Sequence, residues 1–239
     1  MSEESTSESR FATYVFPVYI VCDESSSMAG ASIQAVNDGI VEVFDEINAD
    51  PIVDAKARVG IIAFESNARI LLPLTHLSAV TQIPVCVVGP SRANYGNLFR
   101  MLRFVIARDV RMLSQRFSIE SRPLVFFISD GRPSDENWRE ERVKLTDPSF
   151  KFSPNIVSFG VSGAEKSVIA EVAHWGSGTG TKFFFMADVA GSPGEAIKEI
   201  IKFLTSDIYV SAPRSGVPPP DFQVPDGDVT TFVIDPLNP

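Results

Sequence analysis

Apolar residues along this chain follow two alternating rhythms. Residues 13–22 (TYVFPVYIVC) form a nearly continuous apolar and β-branched run, the pattern of a strand buried on both faces of a parallel sheet. Pro17 interrupts the run. It has no N–H to give to a ladder, so the strand is expected to start near Val18 or to have its first half at an edge. Over 31–49 the spacing changes to Ile33, Val36, Ile40, Val43, Phe44 and Ile47, with Asp38, Glu42, Asp45 and Glu46 mostly elsewhere around the axis. That is an amphipathic helix lying on a sheet.

The alternation then repeats. Strands are expected at 58–64 and 68–72, joined as an antiparallel hairpin by the short 65–67 link, and again at 124–129, 156–161 and 182–186. Helices are expected at 96–116, 137–145, 164–175 (ended by Gly176) and 193–204. Strands alternating with helices predict an α/β, doubly wound, mainly parallel sheet with helices on both faces and one antiparallel edge strand. From about Asp207 the composition changes, with seven of the 17 prolines in 207–239. Two strand-like stretches there flank Pro225-Asp226-Gly227-Asp228, the signal of a hairpin. The expected organisation is a polar tail (1–12), one domain (13–206) and an acidic Pro-rich extension (207–239).

Charge and cysteine content narrow the function classes. The net charge of the 239 residues is −9, of which −2 falls on residues 1–10 and −4 on 207–239, leaving the body nearly neutral. A protein that works by neutralising phosphates needs a basic excess, so nucleic acid is excluded as the main partner. No run reaches the roughly 20 apolar residues of a membrane span, and the N-terminus has no secretory pattern, so a cytoplasmic setting is expected. Cys22 and Cys86 each lie in apolar surroundings and read as buried free thiols, not as a disulfide or zinc framework.

In an open parallel sheet, ligands bind beyond the carboxyl ends of the strands. After the first strand stands Asp23-Glu24-Ser25-Ser26-Ser27-Met28, and after the strand at 124–129 stands Asp130-Gly131-Arg132-Pro133-Ser134-Asp135. Two carboxylates at one point repel each other, and a divalent ion resolves that repulsion. With the Ser25 and Ser27 hydroxyls they form a hard oxygen set suited to Mg²⁺, Mn²⁺ or Ca²⁺. The competing reading is that the serines cap the following helix.

These motifs resemble the von Willebrand factor type A (vWA) domain and its metal-ion-dependent adhesion site, over about residues 13–206. Ser27-Met28, Ile33-x-x-Val36-Asn37-x-Gly39, Gly60-Ile61-Ile62-x-Phe64 and Asp130-Gly131-x-Pro133-Ser134-Asp135 are similar to bacterial TerY-type proteins linked to tellurite resistance. The resemblance implies a non-enzymatic interaction module. Asp23, Ser25, Ser27 and Asp130 would hold the metal, and a protein partner's acidic side chain would complete its shell. Kinase and phosphatase partners of a bacterial stress system are implied in the same way. The chain departs from the pattern in one place. In the loop Pro90-Ser91-Arg92-Ala93-Asn94-Tyr95-Gly96, Ala93 stands where the family carries a threonine, which weakens the ion or leaves a metal-free scaffold, unless Ser91 or Asn94 supplies the oxygen.

Enzymatic readings fare worse. A phosphate-ester hydrolase built on Asp23 needs a second carboxylate two residues on, where Ser25 stands. Gly160-x-Ser162 has Ala164 in place of a nucleophile elbow's last glycine, and His174 follows too soon, in the same expected helix. Arg100, Arg103, Arg108 and Arg111 form a basic side of the helix at 96–116, read as a solvated face or, more sharply, as a docking stripe for an acidic partner.

Overall fold

The computed structural model describes residues 14–186 apart from 120, 162 and 177–181. The expected helix at 193–204, the C-terminal hairpin and the N-terminal tail lie outside the described residues. The strands are β1 (Phe16–Asp23), β2 (Ala57–Phe64), β3 (Ala68–Thr75), β4 (Leu124–Ser129), β5 (Asn155–Gly160) and β6 (Phe184–Met186). The helices are α1 (Ala31–Ala49), α2 (Pro51–Lys56), α3 (Tyr95–Leu113), α4 (Trp138–Thr146) and α5 (Lys166–Val172). The sheet runs β3-β2-β1-β4-β5-β6, parallel except for the β2–β3 hairpin at its edge.

Period-two alternation in β1 divides the core between the two faces of the sheet. Val18, Ile20 and Cys22 pack with Val36, Ile40, Val43, Phe44 and Ile47 of α1 on one face. Tyr19 and Val21 pack with Leu98, Phe99, Leu102 and Ile106 of α3, and with Val168, Ile169 and Val172 of α5, on the other. Each fully buried Leu, Ile, Val or Phe contributes about 1.5–3 kcal/mol over its exposed state. The polar contact that interrupts the α3 face is satisfied: Tyr19 donates to Oδ2 of Asp109 at 3.2 Å, and Arg108 Nε donates to Oδ1 at 2.8 Å.

One expectation is met in its second form and another needs correction. The first strand begins at Phe16, with Pro17 inside it, and its first residues form an edge on the β4 side. Pro17 is tolerated because β4 pairs with β1 only from Val18 onward, so on that side the first residues of β1 have no ladder to complete. The expected helix 164–175 is shorter, Lys166–Val172. After Ala173 turns to extended geometry, His174 exchanges both backbone hydrogen bonds with Ile156, at 2.7 and 2.9 Å, and so adds to the sheet edge. β3, the edge strand, is only half-buried and carries Pro73, as an edge permits.

Candidate metal site at the switch point of the sheet

The strand order reverses at β1, which is flanked by β2 on one side and β4 on the other. At such a reversal the connecting loops part and leave a crevice at the carboxyl edge. Cys22 is level with Ile128 across the β1–β4 ladder, so Asp23 and Ser129 follow side by side, with Asp130 next. Asp23, Ser25, Ser129 and Asp130 are all buried, whereas Ser26 and Ser27 are exposed.

Asp23 is held by short hydrogen bonds. Its Oδ1 accepts the Ser25 N–H at 2.8 Å and its Oδ2 accepts the Ser129 hydroxyl at 2.5 Å. Ser129 Oγ also lies 2.6 Å from the Tyr95 hydroxyl and accepts the Gly131 N–H at 3.1 Å. Tyr95 is fixed in turn by edge-to-face contacts with Phe64, Phe127 and Trp138, at centroid distances of 5.6, 5.1 and 5.7 Å. Burial pushes the Asp23 carboxyl up to about 6; the Ser129 and Ser25 bonds pull it down, and the charge of Asp130 pushes it up further. Burial likewise holds the Tyr95 phenol well above its ordinary value.

The serines do not cap a helix. Ser25 precedes the short 3₁₀ turn Ser26–Met28 without a side-chain cap bond, and the N-cap of α1 is Gly30. The Ser25 and Ser27 hydroxyls lie 3.2 Å apart. Among the residues of the middle loop, Asn94 is committed elsewhere: its Oδ1 accepts the Asn97 N–H at 2.8 Å as the N-cap of α3. Ser91 uses its carbonyl to accept the Ser26 N–H and its own N–H to reach Glu65. Ala93 is buried, and its carbonyl accepts both the N–H and the hydroxyl of Ser134 at 2.7 Å.

Asp130 is 1% exposed, and neither of its carboxylate oxygens has a hydrogen-bond partner among the described residues. A buried anion in that condition is costly, so the donor set fits a cation. Among the described residues no group of three or more His, Cys, Asp or Glu side chains converges. A cation here therefore depends on hydroxyls and water beside the two carboxylates.

Several residues that organise the rim were not singled out by sequence. Glu24, fully buried, accepts the Val87 N–H on Oε1 at 2.7 Å, while Arg69 pairs with Oε2. Asp135 accepts the N–H groups of Tyr95 and Gly96 at 2.8 and 2.9 Å, joining the loop after β4 to the start of α3. Both carboxylates sit inside the quoted motifs, but only the fold reveals which backbone groups they serve. The basic side of α3 is mostly occupied: Arg100 pairs with Glu141, Arg108 with Asp109, and Arg111 covers the Phe152 ring. These pairings favour the solvated-face reading over a docking stripe.

Comparison with known proteins agrees with this architecture. The von Willebrand factor type A domain model matches residues 18–202. No curated protein matches the sequence. Proximal thread matrix protein 1 from the mussel byssus is 14% identical with a TM-score of 0.55, covering 80% of this chain and 48% of that one, so this chain spans about half its length. A second structure of the byssus protein, with a zinc-occupied MIDAS motif, is 16% identical with a TM-score of 0.53, covering 80% and 46%. The conserved hypothetical protein BatB from Bacteroides thetaiotaomicron is 17% identical with a TM-score of 0.54, covering 78% of this chain and 97% of that one.

Proposed function

The chain belongs to the von Willebrand factor type A domain family, and on that premise we propose that it is a non-enzymatic module that binds a protein partner at the rim beyond β1 and β4. A divalent cation held among Asp23, Ser25, Ser27 and Asp130 forms part of that rim. The observation that carries this reading is Asp130, a buried carboxylate with no hydrogen-bond donor among the described residues. When bound, the cation supplies an electrophilic centre at which an acidic side chain of the partner is received.

This chain's own residues divide the remaining work. Asp23 and Asp130 supply charge, and Ser25 and Ser27 supply hydroxyls not spent on capping. Ser129 and Tyr95 hold the Asp23 carboxylate in one orientation. An all-oxygen set completed by water suits Mg²⁺ first, then Mn²⁺ or Ca²⁺. The zinc in the byssus protein's MIDAS motif is a precedent for a divalent ion on this fold. With Ala93 in place of a hydroxyl residue, the ion is held weakly.

Within the family, the Val36-Asn37-x-Gly39 and Asp130-to-Asp135 motifs ally the chain with the TerY type. That alliance brings with it a cytoplasmic setting and a kinase–phosphatase pair as the class of partner. Among the described residues no helix is long and apolar enough to cross a membrane.

The test is a metal titration of chelator-treated protein by calorimetry, with thermal melts in Mg²⁺ and Mn²⁺. An ion at a hundred times its Kd stabilises the fold by about 2.7 kcal/mol. The expected result is a melting shift that Asp23→Ala abolishes. No shift and no heat with millimolar Mg²⁺ or Mn²⁺ would establish a metal-free scaffold instead.

A further inference from the structure

The carboxylates around the rim differ in how they are compensated. Asp23 has two hydrogen-bond donors, Asp135 has two backbone N–H groups, and Glu24 has the Val87 N–H and Arg69. Asp130, only 1% exposed, has no donor among the described residues, and the described group that answers its charge is Arg132, whose Nη1 lies 3.8 Å from Oδ2. That separation is too long for a hydrogen bond but within reach of a charge–charge attraction, moderated by solvent at the half-exposed guanidinium.

The local backbone makes this approach a built feature. Gly131, between the two residues, has φ of +70°, a conformation that glycine adopts readily and other residues rarely do. The turn is fastened on both sides. The Asp130 carbonyl accepts the Glu165 N–H at 3.2 Å, Gly131 N–H donates to Ser129 Oγ, and Ser134 is bonded to Ala93. A Cβ at Gly131 would stand 3.0 Å from both the nitrogen and the oxygen of Glu165. The loop is thus fastened at several points, while the Arg132 side chain is 59% exposed and, among the described residues, meets the fold through this charge contact. Three other arginines of this half of the molecule are paired: Arg69 with Glu24, Arg100 with Glu141, and Arg139 in a two-bond pair with Glu171.

We propose that Arg132 is a tethered counter-cation of Asp130 that competes with the divalent ion for the site. The inference rests on the metal reading above and deepens it by assigning the regulation of that site. Without metal, the guanidinium covers Asp130 and offsets its burial. When the ion takes Asp130, the positive charge of Arg132 is repelled, and the long side chain swings outward, where it is free to meet an acidic partner. The missing hydroxyl at position 93 and the internal cation at Arg132 act in the same direction: both weaken the ion's hold.

The experiment is Mn²⁺ titration by calorimetry of wild type, Arg132→Gln, Arg132→Lys and Asp130→Asn, together with thermal melts with and without Mn²⁺. Arg132→Gln is expected to bind Mn²⁺ about three- to fivefold more tightly than wild type, the upper range a half-exposed charge pair supports. It is also expected to melt lower than wild type in chelator, with the difference vanishing in saturating Mn²⁺. Arg132→Lys keeps the charge and stays within about twofold of wild type. In chelator, the loss from Arg132→Gln disappears in the Asp130→Asn background. Mn²⁺ binding by Arg132→Gln that equals or falls below wild type overturns the competition while leaving the metal site standing. Absence of Mn²⁺ binding in every variant overturns both.

Discussion

A Cβ placed on Gly96 would stand 2.6 Å from Oδ2 of Asp135. Asp135 needs that space because its two oxygens accept the first N–H groups of α3, from Tyr95 and Gly96. The carboxylate thereby satisfies orphan donors at the positive end of the helix and locks two rim loops together.

Gly96→Ala should therefore destabilise the fold, although exchanging glycine for alanine inside a helix ordinarily gains about 1 kcal/mol. Urea denaturation should show a loss of about 1–2 kcal/mol, and Asp135→Ala should give a similar loss because it removes the same cap. In the double variant the two losses should not add. A stabilised Gly96→Ala protein would mean that the cap is not made.

Single substitutions at Ser129 and Tyr95 should differ in cost when compared by urea denaturation. Tyr95→Phe removes one hydroxyl and leaves Ser129 bonded to Asp23, so the expected cost is about 1 kcal/mol. Ser129→Ala leaves Oδ2 of Asp23 without its 2.5 Å donor inside a buried site, and about 2–3 kcal/mol is expected. Equal costs for the two would argue that Asp23 does not depend on Ser129.

The fold was legible because its periodicities are clean. β4 at Leu124–Ser129 and α1 at Ala31–Ala49 coincide with the apolar run and the helical stripe read from sequence. The helix end near His174 was not legible, since the residues from 164 to 175 keep a helical apolar pattern, and what ends the helix is pairing of His174 with Ile156, a contact across 18 positions. Asp23, Ser25 and Asp130 were legible as candidates because they follow strands at one sheet edge. Tyr95 was not: an aromatic at the start of a helix has the same pattern whether it only fills the core or also aims a hydroxyl at Ser129. Arg132 was equally opaque, because its meaning comes from what Asp130 lacks.

His174 gives a pH dependence with a definite sign. Burial, and then the positive charges of Arg142, Arg122 and Lys182, lower its pKa from 6.5 to about 4. Between those values the unfolded chain takes up a proton that the folded chain refuses, so stability falls as pH drops from about 6.5 toward 4 and is level above that window. The full loss is up to about 3 kcal/mol. Denaturation at pH 7.5, 5.5 and 4.5 should show His174→Gln gaining on wild type as the pH is lowered. Parallel pH profiles for the two proteins would show that His174 titrates normally.

Ala93 is the clearest departure from the resemblance, and its surroundings define a controlled experiment. Its carbonyl holds Ser134 through two 2.7 Å bonds, and Asn94 next to it caps α3, so the backbone at this position is fixed and a new side chain must fit a set space. Ala93 is also 1% exposed and packed in the core on the α3 face, so two added heavy atoms crowd it at a cost of about 1–3 kcal/mol. Ala93→Thr and Ala93→Val add nearly the same volume, but only threonine adds an oxygen. In chelator both variants should melt below wild type by similar amounts. In Mn²⁺ they should part: Ala93→Thr should bind the ion about tenfold more tightly than wild type, equivalent to 1.4 kcal/mol, and recover stability, while Ala93→Val should not. Calorimetric affinities that are the same for threonine and valine would mean that the side chain at 93 does not face the ion, and that the missing hydroxyl is not what weakens the site.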